Sequence, residues 1–273
     1  MNRLFVAYKP PFISSHAFLG RLKRKYGVKK AGFSGTLDPI AKGVLIVAFG
    51  NYTKLFRFLK KAPKKYKATL WLGAVSDGFD IERVQEVIDT QKLTIDEIKK
   101  EISALKNLTS QTPPKFSAKW IDGKRAYDLA RKGEEFDMKS VPVTIYEADF
   151  INYSHPFLTF EATVSEGAYI RSLAQTLCQN LNTIGALSSL ERISEGGFVF
   201  EGEKPLHILD HINLPSNSYN GEMKNIQIGK KLKKEDFEIQ ENGVYKIIQE
   251  KNISVIEIND ERVDYLINQL EIF

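Results

Sequence analysis

One cysteine in 273 residues, Cys178, excludes a disulfide within the chain and a metal site built on several cysteines. It falls in a helical pattern and is expected as a small core residue. Long apolar runs are also missing. None approaches the roughly 20 residues of a spanning helix, and the opening MNRLFVAYKPPF lacks the apolar stretch of a secretory signal. A soluble protein that stays in the cytoplasm is expected. Histidine is scarce, at four. His207 and His211 have the four-residue spacing that can chelate a metal on a helix, but no third ligand stands near them, and no metal is expected. Acid is the most unevenly missing of all. Residues 1–67 hold sixteen Lys and Arg and a single acid, Asp38, for a net +15; the rest of the chain carries −10, although the whole is only +5.

For any one cluster, such as Arg21-Lys23-Arg24-Lys25 or Lys60-Lys61-Lys64-Lys65, a solvated face is a sufficient reading. Over sixty-seven residues the bias points to a polyanionic partner, because a basic surface binds phosphates by releasing their counterions. A membrane surface competes poorly, since no segment joins a basic face to a long apolar face flanked by Trp. At 42% hydrophobic the chain is neither disordered nor fibrous, and can bury one large core with a small appendage.

Residues 4–8 read as a strand ended by Pro10-Pro11, and Ser14 or Ser15 can cap a helix to about Tyr26 with Phe18, Leu19, Leu22 and Tyr26 on one face. Residues 32–39 are loop by composition. An apolar strand at 44–49, a basic helix at 53–60, a strand at 67–72 and a helix at 94–105 follow. Two prolines exclude regular helix at 111–117, whereas 124–131 holds helix formers and stops near Gly133. Strands at about 143–153 and 158–164 precede a helix at 169–181, with Ile170, Leu173, Leu177 and Leu181 at helical spacing. The stretch to about His211 is strand-like. Residues 212–221 have linker composition, and 244–249 and 253–258 read as strands of a small second unit. The expected organisation is a mixed α/β domain over 1–211, a linker over 212–221 and a small β-rich unit over 222–273.

Asp38 stands in Gly32-Phe33-Ser34-Gly35-Thr36-Leu37-Asp38-Pro39, between a helix and a buried strand. An Asp before Pro is commonly a turn or cap residue. Here it is the one acid among many cations, which favour an ionised carboxylate. A charged carboxylate in a polyanion-binding surface repels the ligand unless it has a task, so it is a candidate nucleophile or general base. Asp77 and Asp80 could join it as the paired carboxylates of a hydrolase, though no sequence signal sets their separation.

Gly-x-x-Gly-Thr-Leu-Asp-Pro followed by Gly43-Val44-Leu45 resembles the catalytic loop of the bacterial tRNA pseudouridine-55 synthases, the TruB type. Further motifs in the same order are similar to that family: Lys9-Pro10, Lys65-Tyr66, Gln111-x-Pro113-Pro114-x-Phe116-Ser117-Ala118, Gly123-Lys124-Arg125-Ala126-Tyr127 and Gly167-x-Tyr169-Ile170-Arg171-Ser172-Leu173. The resemblance spans about residues 3–205. It implies a pseudouridine-synthase fold, a central mixed sheet flanked by helices, with a degenerate PUA-like RNA-binding domain at the C-terminus. It implies an isomerase that flips the T-loop uridine of tRNA into a pocket, with Asp38 as nucleophile, Tyr66 as stacking partner and proton acceptor, and Arg171 paired to Asp38. Lys9, Phe33, Lys64, Lys65, Lys119 and Tyr169 are the substrate-binding residues so implied. The expected partner is the T-arm of tRNA, with no cofactor, no membrane and no obligate protein partner, the enzyme acting as a monomer.

Two positions depart from the family pattern. Phe33 stands where the family commonly has histidine, and it supplies neither proton nor hydrogen bond. Lys119-Trp120 replaces an apolar residue followed by lysine. Two other function classes fit the same residues: an RNA-binding or RNA-folding protein that has kept the fold without catalysis, and a nucleoside or glycoside hydrolase using Asp38. The basic bias disfavours small neutral substrates, and product analysis separates the three.

Overall fold

The computed structural model describes residues 1–260 and 262–272. One mixed sheet is built from β1 (Arg3–Lys9), β2 (Ala31–Phe33), β3 (Lys42–Phe49), β4 (Lys64–Leu72), β5 (Ile145–Ser154), β6 (Phe157–Val164) and β7 (Gly185–Glu195). The order across it is β1-β3-β7-β4-β6-β5, with β2 beside β3. β7 runs parallel to β3, through Glu191↔Lys42 and Arg192↔Gly43, and antiparallel to β4. The last strand of this sheet to be made therefore lies at its centre. The expected mixed α/β architecture is observed.

β3 is apolar along its length because both its faces are covered. On one side Leu45, Val47 and Phe49 meet Phe18 and Leu22 of α1 (Ser15–Tyr26). Ser14 caps that helix by accepting from the Ala17 N–H at 3.1 Å, and Gly27 at φ 62° ends it. On the other side Val44 and Ile46 pack with Leu4, Val6, Tyr52 and Leu55. The second half of the sheet, β4 to β6, is covered by α2 (Ile95–Ala104) and α4 (Ile170–Asn180), through Ile98, Ile102, Leu173 and Leu177. A short α3 (Ala126–Arg131) follows the hairpin Trp120–Ile121 and Lys124–Arg125.

The basic helix expected at 53–60 is a 3-10 helix over Gly50–Phe58. Its apolar residues Tyr52, Leu55 and Phe58 are three apart, which matches three residues per turn and puts all of them on one side. Beyond it, β8 (Gly243–Gln249), β9 (Asn252–Asn259) and β10 (Arg262–Glu271) make an antiparallel sheet. β10 is absent from the sequence reading because two register shifts against β9 and the polar residues Asp264, Asn268 and Gln269 break its alternation. This sheet has its own core around Phe237, Tyr245, Ile247 and Ile256. Its other face sends Ile253, Val255, Ile267 and Leu270 into the cluster that holds Leu4 and Ile46. The connecting segment is fastened: Asn217 N–H donates to Lys246 O at 2.9 Å, and its side chain donates to Ile239 O at 2.7 Å. No helix of the described residues is long and apolar enough to cross a membrane.

Candidate active site

The turn from β2 to β3 carries Asp38 and is fixed at four points. Ser34 N–H donates to Ile46 O at 2.9 Å, and Ser15 Oγ both donates to Leu37 O and accepts from Leu37 N–H at 3.0 Å. Arg192 Nη2 donates to Gly35 O at 2.9 Å, and Lys9 Nζ donates to Pro39 O at 3.2 Å. With its backbone so held, the Asp38 side chain, 34% exposed, faces an opening between two cavities.

Arg171, in the first turn of α4, meets Asp38 side-on. Its Nη2 donates to Oδ1 at 3.0 Å and its Nε lies 2.9 Å from Oδ2. The guanidinium is 4% exposed and is held from behind by Gly78 O at 3.2 Å and Phe116 O at 3.0 Å. Asp80 Oδ2 lies 3.6 Å from Nη1. Burial pushes the Asp80 carboxyl up, with Arg171 working against it. Phe79 makes this arrangement by adopting φ 59°, a left-handed turn that aims Gly78 O and the Asp80 side chain at one guanidinium. For a bulky residue that conformation costs about 1–2 kcal/mol.

The smaller cavity, about 310 Å³, is lined by Asp38, Tyr66, Tyr169, Arg171, Leu190 and Arg192 among others. Tyr66 is 8% exposed. Its hydroxyl is raised by burial, while a hydrogen bond from Arg192 acts in the opposite direction. Beneath it lies a buried charge cluster. Glu195, with no exposed surface, has Oε1 at 2.9 Å from the donating Ser34 Oγ and 3.4 Å from Lys64 Nζ, and Oε2 at 3.2 Å from Arg192 Nη2. The three charged groups converge below Gly35, whose missing side chain leaves room for them. The larger cavity, about 430 Å³, is lined on its far side by His16, Glu82, Arg83, Arg125, Tyr127 and Arg131. Arg83 stacks on Phe116 at 3.8 Å and Arg125 on Trp120 at 4.1 Å.

These features make a cleft with a carboxylate paired to a buried guanidinium, an aromatic floor and cationic walls. The description "TruB family pseudouridylate synthase (N terminal domain)" matches residues 23–170. The tRNA pseudouridine synthase B of Campylobacter concisus is 52% identical over 271 residues, covering 99% of each chain. The protein of that name from Sulfurimonas denitrificans is 51% identical over 272 residues, 99% of this chain and 100% of the other. The chain belongs to the TruB family of pseudouridylate synthases. It is thus an isomerase acting on uridine in RNA. Among solved structures it resembles the crystal structure of a Cbf5-Nop10-Gar1 complex, with a TM-score of 0.67 at 18% identity over 99% of this chain and 84% of that one. The archaeal box H/ACA Nop10-Cbf5 complex gives 0.64 at 17% identity, over 98% and 85%. These two likenesses concern the fold.

Several expected site residues stand elsewhere in this family member. Asp38, Tyr66, Lys64, Tyr169 and Arg171 line the smaller cavity together. Lys65 does not: β4 alternates, so Lys65 faces away from Tyr66 and pairs with Glu161 at 3.0 Å on the opposite side of the sheet. Lys9 is no surface contact either, having no exposed area. Its ammonium serves Pro10 O, Ile13 O and Pro39 O, and burial brings it down to about 8. Phe33 lies outside both cavities and packs edge-on against His16 at 5.0 Å, so an imidazole still reaches the rim from another element. Lys119 lines neither cavity; its backbone carbonyl accepts from Ala126 N–H at 2.8 Å.

The basic first third supplies less of the cleft than its charge suggests. Lys25, Lys42, Lys61, Lys64 and Lys65 pair with Glu203, Glu191, Glu166, Glu195 and Glu161. The excess of base and the excess of acid thus fold onto each other, and the arginines of the cleft come from later segments. Arg83, Arg192 and Glu195 are absent from the sequence reading. Among the described residues no three His, Cys, Asp or Glu side chains gather to hold a metal; His207 meets Asp210 at 3.6 Å and His211 stacks on Phe198 at 4.7 Å.

Proposed function

We propose that the chain converts uridine 55 in the T-loop of tRNA to pseudouridine, with Asp38 as the nucleophile. The observation that carries this reading is the side-on Arg171–Asp38 pair at the mouth of a cavity floored by Tyr66. A guanidinium in that position orients the carboxylate without giving up a proton to it. The flipped uridine enters the smaller cavity, the bond from the sugar to N1 breaks, the base turns, and a bond from the sugar to carbon-5 forms. Tyr66 takes the carbon-5 proton as its hydroxyl passes its own proton on towards N1, so the protons balance and the RNA keeps its mass. Tyr66 and Tyr169 supply the aromatic surfaces, Arg192 lies against Tyr66, and Arg83, Arg125 and Arg131 meet backbone phosphates. The reaction is redox-neutral and calls for no cofactor. The tRNA names of relatives half-identical over the whole chain support the substrate. On this reading the enzyme is a cytoplasmic monomer. Its catalytic domain spans 1–211, joined through 212–221 to a degenerate PUA-like RNA-binding domain at 222–273.

The test is release of tritium from carbon-5 of uridine in unmodified tRNA, with mapping of the modified position. Wild type is expected to release it at one T-loop uridine, and Asp38→Asn to lose turnover by at least about a thousandfold while binding tRNA within about threefold. An equal loss of binding would remove Asp38 from the chemistry, and modification outside the T-loop would remove the stated target.

A further inference from the structure

Phe12 combines two properties that neither packing nor turn chemistry explains. It adopts φ 60°, a left-handed conformation in which Gly or Asn is ordinarily found, and 70% of its surface is exposed. A phenylalanine kept for the core would be buried, and a turn kept for its shape would use glycine. The conformation is nonetheless rigidly imposed. Pro10 and Pro11 precede it, and the buried ammonium of Lys9 ties Pro10 O at 3.0 Å to Ile13 O at 2.6 Å, closing the turn around Phe12. The same ammonium reaches Pro39 O at 3.2 Å, and Ser15 clasps Leu37, so this turn is registered against the Asp38 loop from both ends. The next residues, Ser14, Ser15 and His16, line the larger cavity, and α1 continues from them with Arg21, Lys23, Arg24 and Lys25 and no acid in its first turn.

We propose that Phe12 is an RNA-contacting residue of this enzyme, an exposed aromatic platform carried on a fixed turn that leads into the cleft-lining Ser14, Ser15 and His16, on which a nucleobase of the substrate other than the target uridine stacks. The inference rests on the substrate being RNA as proposed above. An exposed ring on a backbone held in a costly conformation beside a cationic helix suits a base, which brings a flat apolar face together with a phosphate. Fixing the backbone that carries the ring leaves less entropy to lose on binding.

The experiment compares wild type, Phe12→Gly and Phe12→Trp in full-length protein. It measures tRNA dissociation constants, tritium release at varied tRNA, and thermal melting. Glycine accepts the positive φ, so Phe12→Gly should melt at or above the wild-type temperature while binding tRNA about fivefold or more weakly, with the loss in KM rather than kcat. Phe12→Trp should bind within about twofold of wild type. A Phe12→Gly protein that binds tRNA as tightly as wild type overturns the proposal, as does a loss that Trp fails to restore. Absence of tritium release by wild type would refute the assigned reaction and leave the binding comparison to judge Phe12 on its own.

Discussion

Lys9 places an ammonium where no water reaches it, and three carbonyls replace its hydration. Burial lowers it from 10.5 to about 8, so between those values the unfolded chain holds a proton that the folded one has released. Folding is therefore favoured as pH rises through that window, and the cost of the buried charge is fully present below it. The difference in melting temperature between wild type and Lys9→Met should move towards wild type by a few degrees from pH 8 to pH 10, measured by calorimetry. A constant difference would mean that Lys9 keeps its proton throughout. The family motif singled out Lys9 as a substrate contact, whereas the structure buries it, because sequence shows a cation and not its burial. Lys65 was legible in principle: period-two alternation from Tyr66 puts it on the other face. Asp38 and Arg171 were read as partners only through a family motif, since 133 residues separate them and no local pattern links them.

Arg192 and Glu195 are three apart on one strand, which strict alternation assigns to opposite faces. The register of β7 against β4 shifts between Arg192 and Ser194, and this bulge turns both side chains to the same buried cluster. A bulge leaves no mark in composition, so the stretch that holds β7 read only as strand-like and this part of the site was not foreseen. The strand beside it has a stricter requirement. Gly43 pairs with Arg192 at φ 113°, and a Cβ there would fall on the Arg192 carbonyl. Gly43→Ala should lower unfolding free energy by about 3 kcal/mol or more in urea titrations. Gly133→Ala, at φ 69° with open space around it, should cost only about 1 kcal/mol. Equal effects at the two positions would mean that β3 and β7 separate without penalty.

The two sheets share a core, so the small C-terminal unit is also a lining for the large one. Ile253, Val255, Ile267 and Leu270 each contribute about 1.5–3 kcal/mol if their burial is lost, against a total of about 5–15 kcal/mol for a typical domain. A chain ending at residue 221 should be insoluble or melt more than about 10 °C lower, seen by calorimetry and dye binding; an unchanged melting temperature would show that the sheet only rests on its neighbour. The central position of β7 has a consequence in time. A ribosome that has made the first 184 residues has produced β1 to β3 and β4 to β6 as two half-sheets, each with an edge that only β7 can occupy. Arg192, Glu195 and the strand that joins the halves arrive together. Until then the nascent chain carries open strand edges, the kind of surface that pairs with other chains before folding is complete.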